Sequence, residues 1–202
     1  MKKNTFLLVF SLFFLLLPFN GFAQDTEPIK AEDSLSREKK FHVSFGVNTV
    51  NNTGKQTPFK DTREWAFENS YSLGVEYRFS NFLALEQSFN LNSVTTPGSN
   101  EGRQVTEDEK FDYFSANLSL KYYIGEHFLN SKKLDLYLSG GQGYLKIEDS
   151  LYTTSLGGGI LYWFSNNLGF RLQGLGILAM GSSDDSFNHN HYQYFTELVY
   201  RF

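Results

Sequence analysis

Seven charged residues stand beside apolar neighbours in alternating stretches of the chain: Glu76, Arg78, Glu86, Lys121, Arg171, Glu197 and Arg201. Four bases and three acids on one face could line a selective or gated pore. They could equally pair with one another and fill the space between strands. The interior of an eight-stranded barrel is just wide enough for side chains to fill it, so the expectation is a salt-bridged, closed polar core. A second group is His189-Asn190-His191, which follows Asp184 and Asp185. Alternate residues of an extended chain point the same way, which suits a divalent metal, but the spacing is unspecific and no metal is expected. Ser186, with Asp185 and either histidine, has the residue types of a nucleophilic constellation without its pattern. Gly157-Gly158-Gly159-Ile160 lies in a strand pattern with no helix after it, so it is not a phosphate loop. These glycines, with Gly140, Gly141, Gly143, Gly174 and Gly176, permit tight curvature or make room for bulky neighbours. A flat strip of them could also serve as a contact surface.

The elements that carry these residues repeat with a period of two. Tyr71, Leu73, Val75, Tyr77 and Phe79 alternate with Ser72, Gly74, Glu76 and Arg78, and Leu118, Leu120, Tyr122 and Ile124 alternate with Ser119, Lys121 and Tyr123. Tyr192, Tyr194, Thr196, Leu198, Tyr200 and Phe202 alternate with Gln193, Phe195, Glu197, Val199 and Arg201. Such alternation places one set on each face of a sheet. Eight strands are expected, at about 41–50, 68–79, 82–93, 111–124, 133–145, 152–164, 167–179 and 191–202. Most exceed the five or six residues usual in a soluble sheet, whereas a tilted strand needs about 9–11 residues to cross a bilayer.

Links also follow a rhythm. Strands 2–3 and 6–7 are joined by about two residues and strands 4–5 by Gly125 to Lys132, while links 1–2, 3–4 and 7–8 are long and polar. Link 5–6, Ile147 to Leu151, is shorter. Outer-membrane barrels have short periplasmic turns and longer external loops. Aromatic residues gather near the short turns: Tyr77, Phe79, Phe82, Tyr122, Tyr123, Tyr162, Trp163, Phe164, Tyr200 and Phe202. They are expected to form an interfacial girdle. A soluble ligand-binding barrel would reverse the two faces, with its charges outside.

Composition narrows the class further. The 202 residues have a mean hydropathy of −0.35 and no cysteine, which excludes a polytopic helical membrane protein, a disulfide framework and thiol chemistry. Lys2 and Lys3, the apolar run Phe6 to Leu17, and Gly21-Phe22-Ala23 have the layout of a secretory signal peptide over residues 1–23. Residues 24–40 hold nine charged residues in seventeen and read as a flexible periplasmic tether. The expected mature chain has 16 basic and 22 acidic residues, which argues against nucleic acid as a partner.

The signal segment, the eight alternating strands over residues 41–202 and the ending YQYFTELVYRF resemble the small outer-membrane β-barrels of the OmpA-like and OmpX-like superfamily. That resemblance implies an all-β, eight-stranded, antiparallel up-and-down transmembrane barrel in the outer membrane of a Gram-negative bacterium. It implies outer-membrane lipid and lipopolysaccharide as surroundings. The barrel-assembly machinery would read Leu198, Tyr200 and Phe202 as the assembly signal. No peptidoglycan-binding domain is expected, and the Phe- and Asn-rich composition suggests a Bacteroidetes-like source. A structural or surface-interaction role through the external loops is expected, with an unidentified loop partner, no enzymatic activity and no cofactor. The alternatives are a lipid A-modifying enzyme, for which Ser186, His189, His191 and Asp185 lack the pattern, and a small porin.

Overall fold

The computed structural model describes residues 40–51, 58–59, 65–94, 111–127, 129, 131, 133–147, 150–180 and 190–202. The signal segment 1–23, the tether up to residue 39 and most of the long links lie outside them. So do Asp184, Asp185, Ser186 and His189.

The strands are β1 (Phe41–Asn51), β2 (Glu68–Arg78), β3 (Leu83–Val94), β4 (Phe111–Tyr122), β5 (Leu134–Lys146), β6 (Ser150–Trp163), β7 (Leu168–Met180) and β8 (His191–Arg201). Every bound falls within two residues of the expectation from alternation. β4 ends early because Tyr123 leaves the ladder and Ile124–His127 winds into a 3-10 turn, where the Leu129 amide donates to the Gly125 carbonyl at 2.7 Å. Each strand pairs antiparallel with its sequence neighbours, and β1 pairs with β8 from His42↔Arg201 to Asn51↔Tyr192. The barrel is therefore closed. Closure abolishes the free edge that an open sheet would expose.

Two of the short turns are built from the same three residues. Phe79-Ser80-Asn81 and Phe164-Ser165-Asn166 each send two amides to a leucine carbonyl, that of Leu83 or Leu168, at 3.1–3.2 Å. In each, the serine hydroxyl accepts from the two amides that lead into the next strand, those of Phe82 and Leu83 or of Asn167 and Leu168. A short hydroxyl side chain that satisfies its own turn is the usual reason for serine here.

Alternation decides the faces. Outward positions carry Phe45, Leu73, Leu85, Phe89, Leu120, Leu138, Ile160, Leu172 and Leu198, all exposed, with Leu156 reaching 73% exposure. Inward positions carry Ser, Asn, Gln and most of the strand charges, with Lys121 at 0% exposure, while Glu68, Asp112 and Lys146 are exposed. The apolar set is thus outside and the polar set inside. The outward glycines Gly174 and Gly176 lie beneath the rings of Tyr194 and Tyr192, which pass 3.3 and 3.5 Å from where a Cβ would stand.

Candidate functional site: the buried ion network of the lumen

Arg171 on β7 projects into the lumen and meets three carboxylates. Its guanidinium lies 2.7 Å from Glu86 on β3, 2.6 Å from Glu197 on β8 and 3.5 Å from Glu76 on β2. Lys121 on β4 completes the cluster, 2.8 Å from Glu86 and 3.0 Å from Glu76. Two fixed cations therefore face three acids. Neighbouring donors supply the remaining contacts: His42 Nδ1 lies 3.0 Å from Glu76, the Tyr123 hydroxyl donates to Glu76 at 2.5 Å, and the Ser72 hydroxyl donates to Glu197. Arg171 also donates to the Ser44 hydroxyl at 2.7 Å. Buried charge is costly unless it is paired and hydrogen-bonded. Every charge of this cluster is paired, and hydrogen bonds reach all of it except Arg171 Nη1 and Glu86 Oε1, which meet at 2.7 Å as an ion pair without hydrogen-bond geometry.

Space for the cluster comes from a glycine. A Cβ on Gly74 would sit 2.5 Å from Ser44 Oγ and 3.1 Å from Glu86 Oε1, so any side chain there would displace the ion pairs. Gly159 plays the same part for Tyr137, whose hydroxyl would lie 2.5 Å from an added Cβ. Tyr137 crosses the lumen to donate to Gln173 at 2.6 Å, and its ring lies 4.6 Å from Lys121 Nζ.

Arg78 and Arg201, which the sequence places on the same face, do not join this cluster. Both lie in a separate layer at the short-turn mouth. The Arg78 guanidinium stacks 3.7 Å over the Tyr123 ring and lies 3.5 Å from Asp135. Arg201 stacks 4.1 Å over Trp163 and donates to the Asn166 carbonyl at 2.6 Å. Trp163 Nε1 donates to Asp135 at 2.9 Å, joining the two halves of the layer. This corrects the expected girdle. Tyr123 and Trp163 are buried inside the lumen, whereas Tyr77, Phe79, Phe82, Tyr122, Tyr162, Phe164, Tyr200 and Phe202 are exposed outside.

The long-loop half of the lumen is uncharged over the described strand residues. Tyr113 hydrogen-bonds His191 Nε2 at 2.9 Å and Gln193 at 3.1 Å, and Gln193 donates to Asn48 at 3.0 Å. Val50, Val94, Tyr113 and Leu145 pack as an apolar cluster beneath the rim. His191 is a wall residue bonded to Tyr113, and His189, the other half of the candidate metal pair, lies outside the described residues. Among the described residues no group of three His, Asp or Glu side chains is placed to hold a metal ion.

Alternation missed His42 and Asp135 as lumen residues, although both stand between outward apolar neighbours. At the C-terminus, Leu198, Tyr200 and Phe202 face outward, and the Phe202 amide donates to the Phe41 carbonyl at 3.0 Å.

No protein-family model matches the chain. No curated protein matches it either. Among solved structures, the N-terminal β-barrel domain of Pseudomonas aeruginosa OprF superposes with a TM-score of 0.52 at 12% identity, covering 81% of this chain and 98% of that one. Outer membrane protein W of E. coli gives 0.50 at 14% identity, over 81% of this chain and 98% of that one. The outer membrane protein AlkL, solved in lipid bilayers, gives 0.50 at 13% identity, over 89% of this chain and 97% of that one. None of these comparisons bears on a Bacteroidetes-like source. At such identities the likeness is one of architecture: this chain is a closed, eight-stranded antiparallel β-barrel of the kind seen in small outer-membrane proteins.

Proposed function

We propose that this chain is an integral outer-membrane barrel of a Gram-negative bacterium, delivered by a cleaved signal peptide. In this reading the barrel spans the bilayer, and the Arg171–Lys121 network plugs its lumen. The observation that carries the reading is the sidedness of the wall. Leu, Phe and Tyr are exposed on the outer face of the strands, while Glu76, Glu86, Lys121, Arg171 and Glu197 are buried within. In water that arrangement would leave a continuous apolar belt uncovered, far beyond the patch a soluble monomer tolerates. In a bilayer it is the required one.

The role proposed is structural or surface-interacting, exerted through the long loops, without enzymatic activity. Outer-membrane lipid and lipopolysaccharide would contact the belt. The assembly machinery would recognise Leu198, Tyr200 and Phe202, and the OmpA-like and OmpX-like superfamily is where we place the chain. The test is the electrophoretic mobility of the protein from an outer-membrane fraction, boiled and unboiled. A heat-dependent shift is expected. Recovery in the soluble fraction without detergent, and no shift, would overturn the reading in favour of a soluble carrier.

A further inference from the structure

Among the described residues, the backbone ladder around the barrel is interrupted between β1 and β2. These strands pair from Phe41↔Tyr77 only as far as Gly46↔Ser72. β1 nevertheless continues to Asn51 against β8, and β2 extends back to Glu68 against β3. Beyond Gly46↔Ser72 the two sides meet again at the isolated bridge Val50↔Ala66. The cause is local. β2 changes register against β3 between Glu68 and Tyr71, and Asn69 adopts a left-handed φ of 52°. This β-bulge turns the backbone of residue 70 away from β1.

Side chains fill the interruption. The Ser70 hydroxyl takes both places that a backbone partner would occupy: it accepts from the Asn48 amide at 2.6 Å and donates to the Asn48 carbonyl. The Asn48 carboxamide donates to the carbonyls of Tyr71 at 2.8 Å and Leu91 at 2.9 Å. Behind it, Asn92 Nδ2 lies 3.1 Å from Asn48 Oδ1 and 3.1 Å from the Ala66 carbonyl. Between Gly46↔Ser72 and the Val50–Ala66 bridge, whose two backbone bonds are 3.1 and 2.9 Å long, the β1–β2 seam is therefore held by side chains in place of a backbone ladder.

We propose that Ser70 and Asn48 form a latch, and that the β1–β2 seam in the long-loop half is where the barrel wall parts first. Opening there joins the Asn48–Gln193–Tyr113 network of the lumen to the outer surface between Phe45 and Tyr71. That this surface is lipid rests on the proposed membrane function; the seam itself does not.

The test is amide hydrogen exchange followed by NMR on the full folded chain in detergent micelles. The amide of Asn48, held by the Ser70 hydroxyl, is expected to exchange about ten-fold or more faster than those of Ser115 and Asn117, whose strand is laddered on both sides. Ser70→Ala should speed the Asn48 amide further, and Ser70→Thr, which keeps the hydroxyl, should leave it as it is. Equal protection at the two places would overturn the proposal, as would a folded Ser70→Ala variant with unchanged exchange. If Ser70→Ala fails to fold, the wild-type comparison decides alone. A protein that folds without detergent would defeat the membrane reading, and the same exchange rates would still judge the seam.

Discussion

Glu86 and Arg171 lie 2.7 Å apart inside the barrel, each six residues beyond the serine of a Phe-Ser-Asn turn. The hairpins that carry them, β2–β3 and β6–β7, stand half a circuit apart in an eight-stranded ring. Equivalent positions therefore point at one another across the axis. One carries an acid and the other a base, so the repeated hairpin closes the lumen on itself.

Removing the base should expose the strength of this closure. Arg171→Ala leaves Glu197 without its cation and Glu86 with Lys121 alone, and breaking a buried pair costs about 3–5 kcal/mol. Urea unfolding in micelles should show the loss. Adding Glu197→Gln to this variant should recover part of it, since a neutral amide needs no counter-charge.

Exchanging the two charges should fail to restore stability. In a Glu86→Arg, Arg171→Glu chain the new arginine would face Lys121, 2.8 Å from the present Glu86 carboxylate, and the new glutamate would face Glu197. The double variant should yield less heat-modifiable protein than wild type. A wild-type yield would mean that the Glu86–Arg171 pair is energetically isolated from its neighbours.

The outer face offers a separate test of the surroundings. Leu156, at 73% exposure, is a surface residue in water and a lipid-facing one in a bilayer. Leu156→Arg should destabilise the protein in lipid by about 2–4 kcal/mol if it lies near the midplane. A soluble barrel would accept the same change within about 0.5 kcal/mol. Unfolding free energies in lipid vesicles distinguish the two.

Of the two tryptophans, Trp163 reports on the short-turn mouth, whereas Trp65 stands at the long-link end, stacked on Tyr194. In a Trp65→Phe chain all tryptophan fluorescence comes from Trp163, which is 1% exposed and stacked under Arg201. Acrylamide and lipids brominated near the headgroup should both quench it weakly. Strong quenching by the brominated lipid would return Trp163 to the girdle.

Tyr123→Phe removes one donor from Glu76 while keeping the ring under Arg78. A hydrogen bond to a charged group contributes about 1.5–3 kcal/mol, so the unfolding midpoint in urea should fall by a corresponding amount with an unchanged slope. An unchanged midpoint would show that His42 and Lys121 satisfy Glu76 without it.

By itself the sequence determined the strands, their order of short and long links, and the two alternating faces along them. Extended chain has a period of two, and a wall with an apolar outside and a polar inside writes that period into every segment. Tyr123 and Trp163 show how that signal can be overridden: each stands on the inward phase of its strand, beside Lys121 and Leu161, yet their aromatic character and position near turns suggested a girdle. What only the tertiary structure decided is which inward residues meet. Alternation assigns a face but no height along the barrel axis, and height depends on the stagger of eight strands as the sheet closes. That stagger brings Arg171 to Glu86 and Glu197 and sends Arg78 and Arg201 to the mouth with Asp135. The Ser70–Asn48 latch was equally out of reach, because it depends on one left-handed residue, Asn69, displacing a backbone from a partner strand known only after closure.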